Sequence, residues 1–151
     1  MIKKIALSTC IATSIALTAC ATSTIDSTQS TAPIANKTWI VTHIDGKAIS
    51  TKPTDRNIPS LQLNSKEQTF SGADGCNRLM GEYMLTATTI KLGPIASSMM
   101  ACLDENIQTI SASYGNALEQ AESYQVTPST LVLKDKDGKA VVQFTTAVKP
   151  R

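Results

Sequence analysis

The residues best suited to chemistry lie in one stretch, Ser71–Met84, which reads SGADGCNRLMGEYM. It places Cys76 beside Asn77-Arg78 and among three glycines, Gly72, Gly75 and Gly81. Two chemistries could use such a segment. A phosphate cradle needs a helix starting directly after the glycines, so that backbone N–H groups converge on the anion. Gly81-Glu82-Tyr83-Met84 reads as a strand instead, and no Gly-Lys-Ser/Thr follows. A cysteine nucleophile needs a base that is itself oriented by a third group. The single histidine, His43, sits in a β-branched run, and no nearby pattern supplies the orienting carboxylate. No catalytic residue is assigned. The glycines are expected to serve positive φ angles in a tight loop, with Asn77 and Arg78 holding it by hydrogen bonds.

His43, Cys76, Cys102, Met80, Met84, Met99 and Met100 are all soft or borderline metal ligands. They form neither a Met-x-Met run nor a His-rich tract, so the methionines are expected to fill the core. No metal or cofactor is expected, and copper handling stays an alternative. Asp135-x-Asp137-Gly138 resembles a fragment of a calcium loop but lacks the third acidic position and the distal Glu. A hairpin turn is the expectation there.

The first residues indicate a compartment. Lys3 and Lys4 precede an apolar run, Ile5–Leu17, too short for a permanent membrane span. This reads as a secretory signal over residues 1–19. Its end, Leu17-Thr18-Ala19-Cys20, resembles the lipobox of bacterial lipoproteins. That resemblance implies cleavage before Cys20, lipidation of Cys20 and anchoring to a membrane by several acyl chains. Ala21, standing where an Asp would retain such a protein at the inner membrane, implies by the same resemblance the outer membrane, facing the periplasm. Removing Lys3 and Lys4 takes the formal charge from +2 to near neutral. With no basic stripe and few aromatics, nucleic-acid binding is not expected. In an oxidising compartment the two remaining cysteines, Cys76 and Cys102, favour a disulfide over a free thiol or a metal pair. A bridge of that span stabilises by about 3–4 kcal/mol on loop entropy.

The elements that position these residues follow. Residues 20–36 are rich in Ser, Thr and Ala and read as a lipidated flexible tether. About 115 residues remain, enough for one domain with a core. Thr38–Ile44 reads as a strand and Asp45-Gly46 as a turn. Lys52–Pro59 reads as a loop. Ser60–Asn64 alternates with Leu61 and Leu63 inward, Gln68–Ser71 is its hairpin partner, and Gly81–Leu85 and Thr88–Leu92 are further strands. Leu103, Ile107, Ile110, Tyr114, Ala117, Leu118 and Ala121 recur at helical spacing, predicting an amphipathic helix near 104–122 with Asp104 as its cap. Ser123–Thr127, Thr130–Leu133 and Ala140–Thr145 close a β-meander. The fold class expected is α+β: a strongly curved antiparallel sheet or open barrel with one helix covering one side.

In this order, Trp39, Ser71-Gly72, Gly75-Cys76-Asn77-Arg78, Gly81-x-Tyr83, Met99-Met100-Ala101-Cys102, Asp137-Gly138 and Phe144 resemble the META domain family, including its HslJ-like bacterial lipoproteins. The resemblance spans residues 37–147, leaving 148–151 as a tail, with Gly72, Gly75, Cys76, Asn77, Arg78 and Gly81 as the signature loop. It implies a small sheet-dominated α+β fold and a link to heat or envelope stress and antibiotic tolerance, and it supplies no catalytic residues. The expected function is therefore non-enzymatic: an outer-membrane lipoprotein that supports envelope integrity or stress tolerance by binding an envelope protein or amphiphile. The alternative is a thiol-redox protein or enzyme using Cys76 and Cys102, or copper handling.

Overall fold

Trp39 sets the layout. It is fully buried in β1 (Thr38–Ile44), and its indole N–H donates to the Ile34 carbonyl at 2.7 Å, anchoring the chain ahead of the strand. The structure, a computed structural model, describes residues 34–51 and 57–147. The segments expected to be a signal (1–19), a lipidated Cys20 and most of a tether, together with the tail at 148–151, lie outside the described residues.

The strands are β1, β2 (Lys47–Ala48), β3 (Ser60–Asn64), β4 (Thr69–Ala73), β5 (Arg78–Leu85), β6 (Ile90–Leu92), β7 (Ala96–Ser97), β8 (Ser123–Val126), β9 (Thr130–Lys134) and β10 (Ala140–Thr146). The helix α1 (Glu105–Glu119) falls between β7 and β8. The sheet runs β6-β5-β4-β3-β1-β10-β9-β8, antiparallel throughout, with β2 added to β1 and β7 to β5. Its two edges nearly meet. Thr89 bridges Ser123, the Ile90 N–H donates to Glu122 and the Tyr124 N–H donates to Thr88. The result is a nearly closed antiparallel barrel with one helix among the described residues, α1, covering one face, the fold class expected.

Alternation explains most of the interior. Leu61 and Leu63 point inward from β3, as do Phe70 from β4, Leu79 and Tyr83 from β5, and Leu131 and Leu133 from β9. Two bulges break the period where it matters. Strict alternation after Trp39 and Val41 would turn His43 inward. The register shift between Val41 and His43 instead buries Ile44 and leaves His43 half-exposed. A second shift between Ala140 and Val142 buries Val141 and Val142 side by side.

The Asp104 carboxylate caps α1, accepting from the N–H groups of Asn106 (2.8 Å) and Ile107 (3.1 Å). Ile110, Tyr114, Ala117 and Leu118 form its buried face. Tyr114 meets Phe144 edge-on at 6.3 Å and donates its hydroxyl to the Ser60 carbonyl at 3.1 Å.

Four expectations are corrected. The helix is shorter than 104–122, and Leu103, assigned to its apolar face, precedes it and is 95 % exposed. The loop after β4 is only Asp74–Asn77, because Ala73 and Arg78 already pair across a hairpin. The structure adds two short strands, β2 and β7, in segments that carry no strand pattern. The methionines do not fill the core: Met80, Met84, Met99 and Met100 are 57, 71, 88 and 54 % exposed. The interior is built from β-branched, Leu, Ala and aromatic side chains, with no methionine among them.

Burial pushes the Tyr114 hydroxyl well above its ordinary value of 10, and the Asp74 charge adds to this. The folded state therefore holds the phenol proton more tightly than the unfolded chain. That contribution is complete below pH 10 and is lost as pH rises from there towards the folded-state value. Urea unfolding on both sides of pH 10 is expected to show the native chain losing stability more steeply than Tyr114→Phe. The variant gives up a hydrogen bond worth about 1 kcal/mol at neutral pH. Parallel pH slopes for the two proteins would contradict this account.

Candidate functional site

Asp74 is the one buried charged side chain among the described residues. It follows β4, where the chain must reverse into β5. One carboxylate oxygen accepts from the backbone N–H groups of Cys76 (2.8 Å) and Asn77. The other accepts from the Ser111 hydroxyl of α1 (2.7 Å) and the Asn77 amide (3.3 Å). Four donors offset the loss of water around the charge. The reversal also needs Gly75, whose φ of +103° an L side chain rarely adopts. The Gly75 N–H donates to the Asn57 carbonyl at 2.9 Å, and the Asn57 amide donates to the Cys76 carbonyl.

Asn77 extends the network to the segment before the helix. Its side-chain oxygen accepts from the Met100 N–H at 2.6 Å and the Ser98 hydroxyl at 3.4 Å. Ser98 also exchanges two bonds of 3.1 Å with the Arg78 backbone. Cys76 and Cys102 are joined by a disulfide with Cα atoms 6.0 Å apart. The Gln108 amide donates to the Cys102 carbonyl at 2.6 Å. The short β4–β5 turn, the 98–102 segment and the first turns of α1 thus form one cross-linked unit. Cys76 is buried within it, and Cys102 is half-exposed at its edge.

The signature residues divide by role. Gly75, Cys76 and Asn77 form the turn. Gly72 and Gly81 lie within β4 and β5, so of the three glycines only Gly75 has the positive φ expected of all of them. Gly81 is required by close approach: a Cβ there would come within 2.6 Å of the Phe70 ring and 2.7 Å of the Pro94 carbonyl. Arg78 contributes only its backbone, and its guanidinium is exposed rather than holding the loop. Sequence reasoning missed Asp74, Asn57, Ser98 and Ser111. The Asp74-Gly75 dipeptide was the available signal, since an Asp side chain readily accepts from N–H groups two and three residues on.

An open groove of about 490 Å³ runs beside this unit over the outer face of β1, β3, β4 and β5. Ile40, Gln62, Ser71, Arg78, Met80 and Asn57 are among its lining residues. His43 lies apart from the disulfide in β1, with its ring Nδ1 3.1 Å from the Thr42 hydroxyl. Among the described residues, no three His, Cys, Asp or Glu side chains gather as a metal cluster. While bonded to each other, Cys76 and Cys102 offer no thiolate to copper. The Asp135 carboxylate accepts from the N–H groups of Asp137 and Lys139, which makes its segment a hairpin turn.

Asp74→Asn is expected to destabilise the domain by about 1–3 kcal/mol, because an amide nitrogen replaces an oxygen that now accepts two hydrogen bonds. Urea unfolding measures this, and Asp74→Asn together with Ser111→Ala is expected to cost less than the sum of the two single changes.

Solved structures share the fold. One, described as an NMR structure of a protein from Burkholderia xenovorans, is 27% identical with a TM-score of 0.60, covering 76% of this chain and 84% of its own. A crystal structure of a duf4847 family protein from Bacteroides vulgatus ATCC 8482 is 15% identical with a TM-score of 0.54, covering 77% of this chain and 96% of its own. This second likeness is one of fold alone. No curated protein matches. The META domain matches residues 32–148, most of the chain, so the protein belongs to the META domain family.

Proposed function

We propose that the protein works in the bacterial envelope through thiol–disulfide exchange at Cys76–Cys102. The observation that carries this reading is the arrangement of the pair. Cys102 is half-exposed at the edge of the unit, whereas Cys76 is buried behind it. An external thiolate attacks the Cys102 sulfur, and the disulfide's electron pair leaves on the Cys76 sulfur, which takes up a proton. A second external thiol then attacks the mixed disulfide, freeing Cys102 as a thiol and leaving the external pair oxidised. The secretory signal and the lipobox at Cys20 support an oxidising, membrane-anchored setting at the outer membrane.

A second reading is favoured by the groove beside β4 and β5. In it the domain is non-enzymatic and supports envelope integrity or stress tolerance, as an HslJ-like lipoprotein would, by binding an envelope protein or amphiphile there. The disulfide then serves only to hold the groove's rim.

Titration of the folded protein against glutathione separates the two. Exchange is expected to give two titratable thiols at a potential above about −250 mV without loss of fold. A bond that stays oxidised below about −300 mV would remove the redox reading and leave the binding one.

A further inference from the structure

Met99 and Leu103 are 88 and 95 % exposed, and Met100 is 54 % exposed. A soluble surface seldom presents three such side chains within a span of five positions. They are not on a loose loop. Asn77 holds the Met100 N–H, Ser98 is bonded to the Arg78 backbone, and Cys102 is tied by the disulfide and by Gln108. Met99 is kept at a φ of +51°, a conformation that non-glycine residues rarely adopt. Met80, itself 57 % exposed, lines the same groove as Asn57, whose amide lies 3.9 Å from the Met100 sulfur.

We infer that this rim, Met99, Met100 and Leu103 with Met80 beside it, rests on the bilayer to which the chain is anchored. The inference depends on the reading of Cys20 as a lipid anchor and on the binding reading of the domain, since lipid over the rim would also cover Cys102, which lies between Met100 and Leu103. Between Cys20 and Ile34 lie residues 21–33, whose covalent reach is at most about 45 Å. The domain itself has a radius of gyration of about 13–14 Å, so each of its faces lies within reach of the surface. A tether of this length keeps the rim at high effective concentration next to lipid. Under that condition a few apolar side chains are enough, where a free protein would need a larger face. Asp104 and Glu105 immediately follow Leu103, which limits the rim to the interfacial zone and favours neutral over anionic headgroups.

Oxidation by hydrogen peroxide, read by mass spectrometry as methionine sulfoxide, tests this on the full processed lipoprotein in phosphatidylcholine vesicles. Met84, 71 % exposed near the far end of β5, is the internal reference. On vesicles Met99 and Met100 are expected to oxidise severalfold more slowly than Met84. In a Cys20→Ser chain without vesicles they are expected to match it. The exposed double change Met99→Ser with Leu103→Ser is expected to restore Met100 oxidation while the protein still floats with lipid. Flotation with unprotected Met99 and Met100 would overturn the inference and leave the anchor reading standing. Failure to float would overturn both. Protection that appears without vesicles as protein concentration rises would place a second copy on the rim instead of lipid.

Discussion

The Asp74 carboxylate is the constraint on which the site depends. A buried charge is tolerable only when hydrogen bonds replace the water it has lost. Here the donors come from the β4–β5 turn and from α1, so satisfying the charge fixes the helix against the sheet. The disulfide and the Asn77 amide then attach the 98–102 segment to the same point. Covalent, ionic and neutral contacts converge within four residues, Asp74–Asn77.

That convergence explains the contrast between the segment's backbone and its side chains. The backbone from Ser98 to Cys102 is held by donors and acceptors on the turn and the helix, yet the Met99 and Met100 side chains stay largely exposed. Apolar side chains held outward by a rigid frame differ from side chains exposed because their segment is loose. A rigid frame loses little conformational entropy when something covers it.

Much of the fold was legible because it rests on periodicity. The alternation in Ser60–Asn64 and the helical spacing from Ile107 to Leu118 gave strand, helix and inward faces together. What escaped lacked a local signal. Two-residue strands such as β2 and β7 are too short to display a period, and they exist only because β1 and β5 offer free edges to pair with. The bulge between Val41 and His43 is a matter of pairing with the partner strand, so nothing in the β1 sequence itself announces it. The methionines were misplaced because residue type predicts burial only on average. In the site, Cys76, Cys102 and Asn77 stood out by chemistry. Asp74, Asn57 and Ser111 gain their roles from neighbours distant in sequence, with Ser111 lying 37 positions from its carboxylate.

The pairing of β1 with β10 carries a consequence for the order of assembly. The first strand of the domain is flanked on one side by the last, so Thr42 bonds to Gln143 across 101 positions. During synthesis β1 is made early and remains without that neighbour until nearly the whole chain exists. Contacts this far apart in sequence make closure slow, and Trp39, Val41 and Ile44 stay unsheltered in the interval. The interior can therefore seal only once the C-terminal strand has arrived, which keeps the nascent chain open and threadable until its synthesis is almost complete.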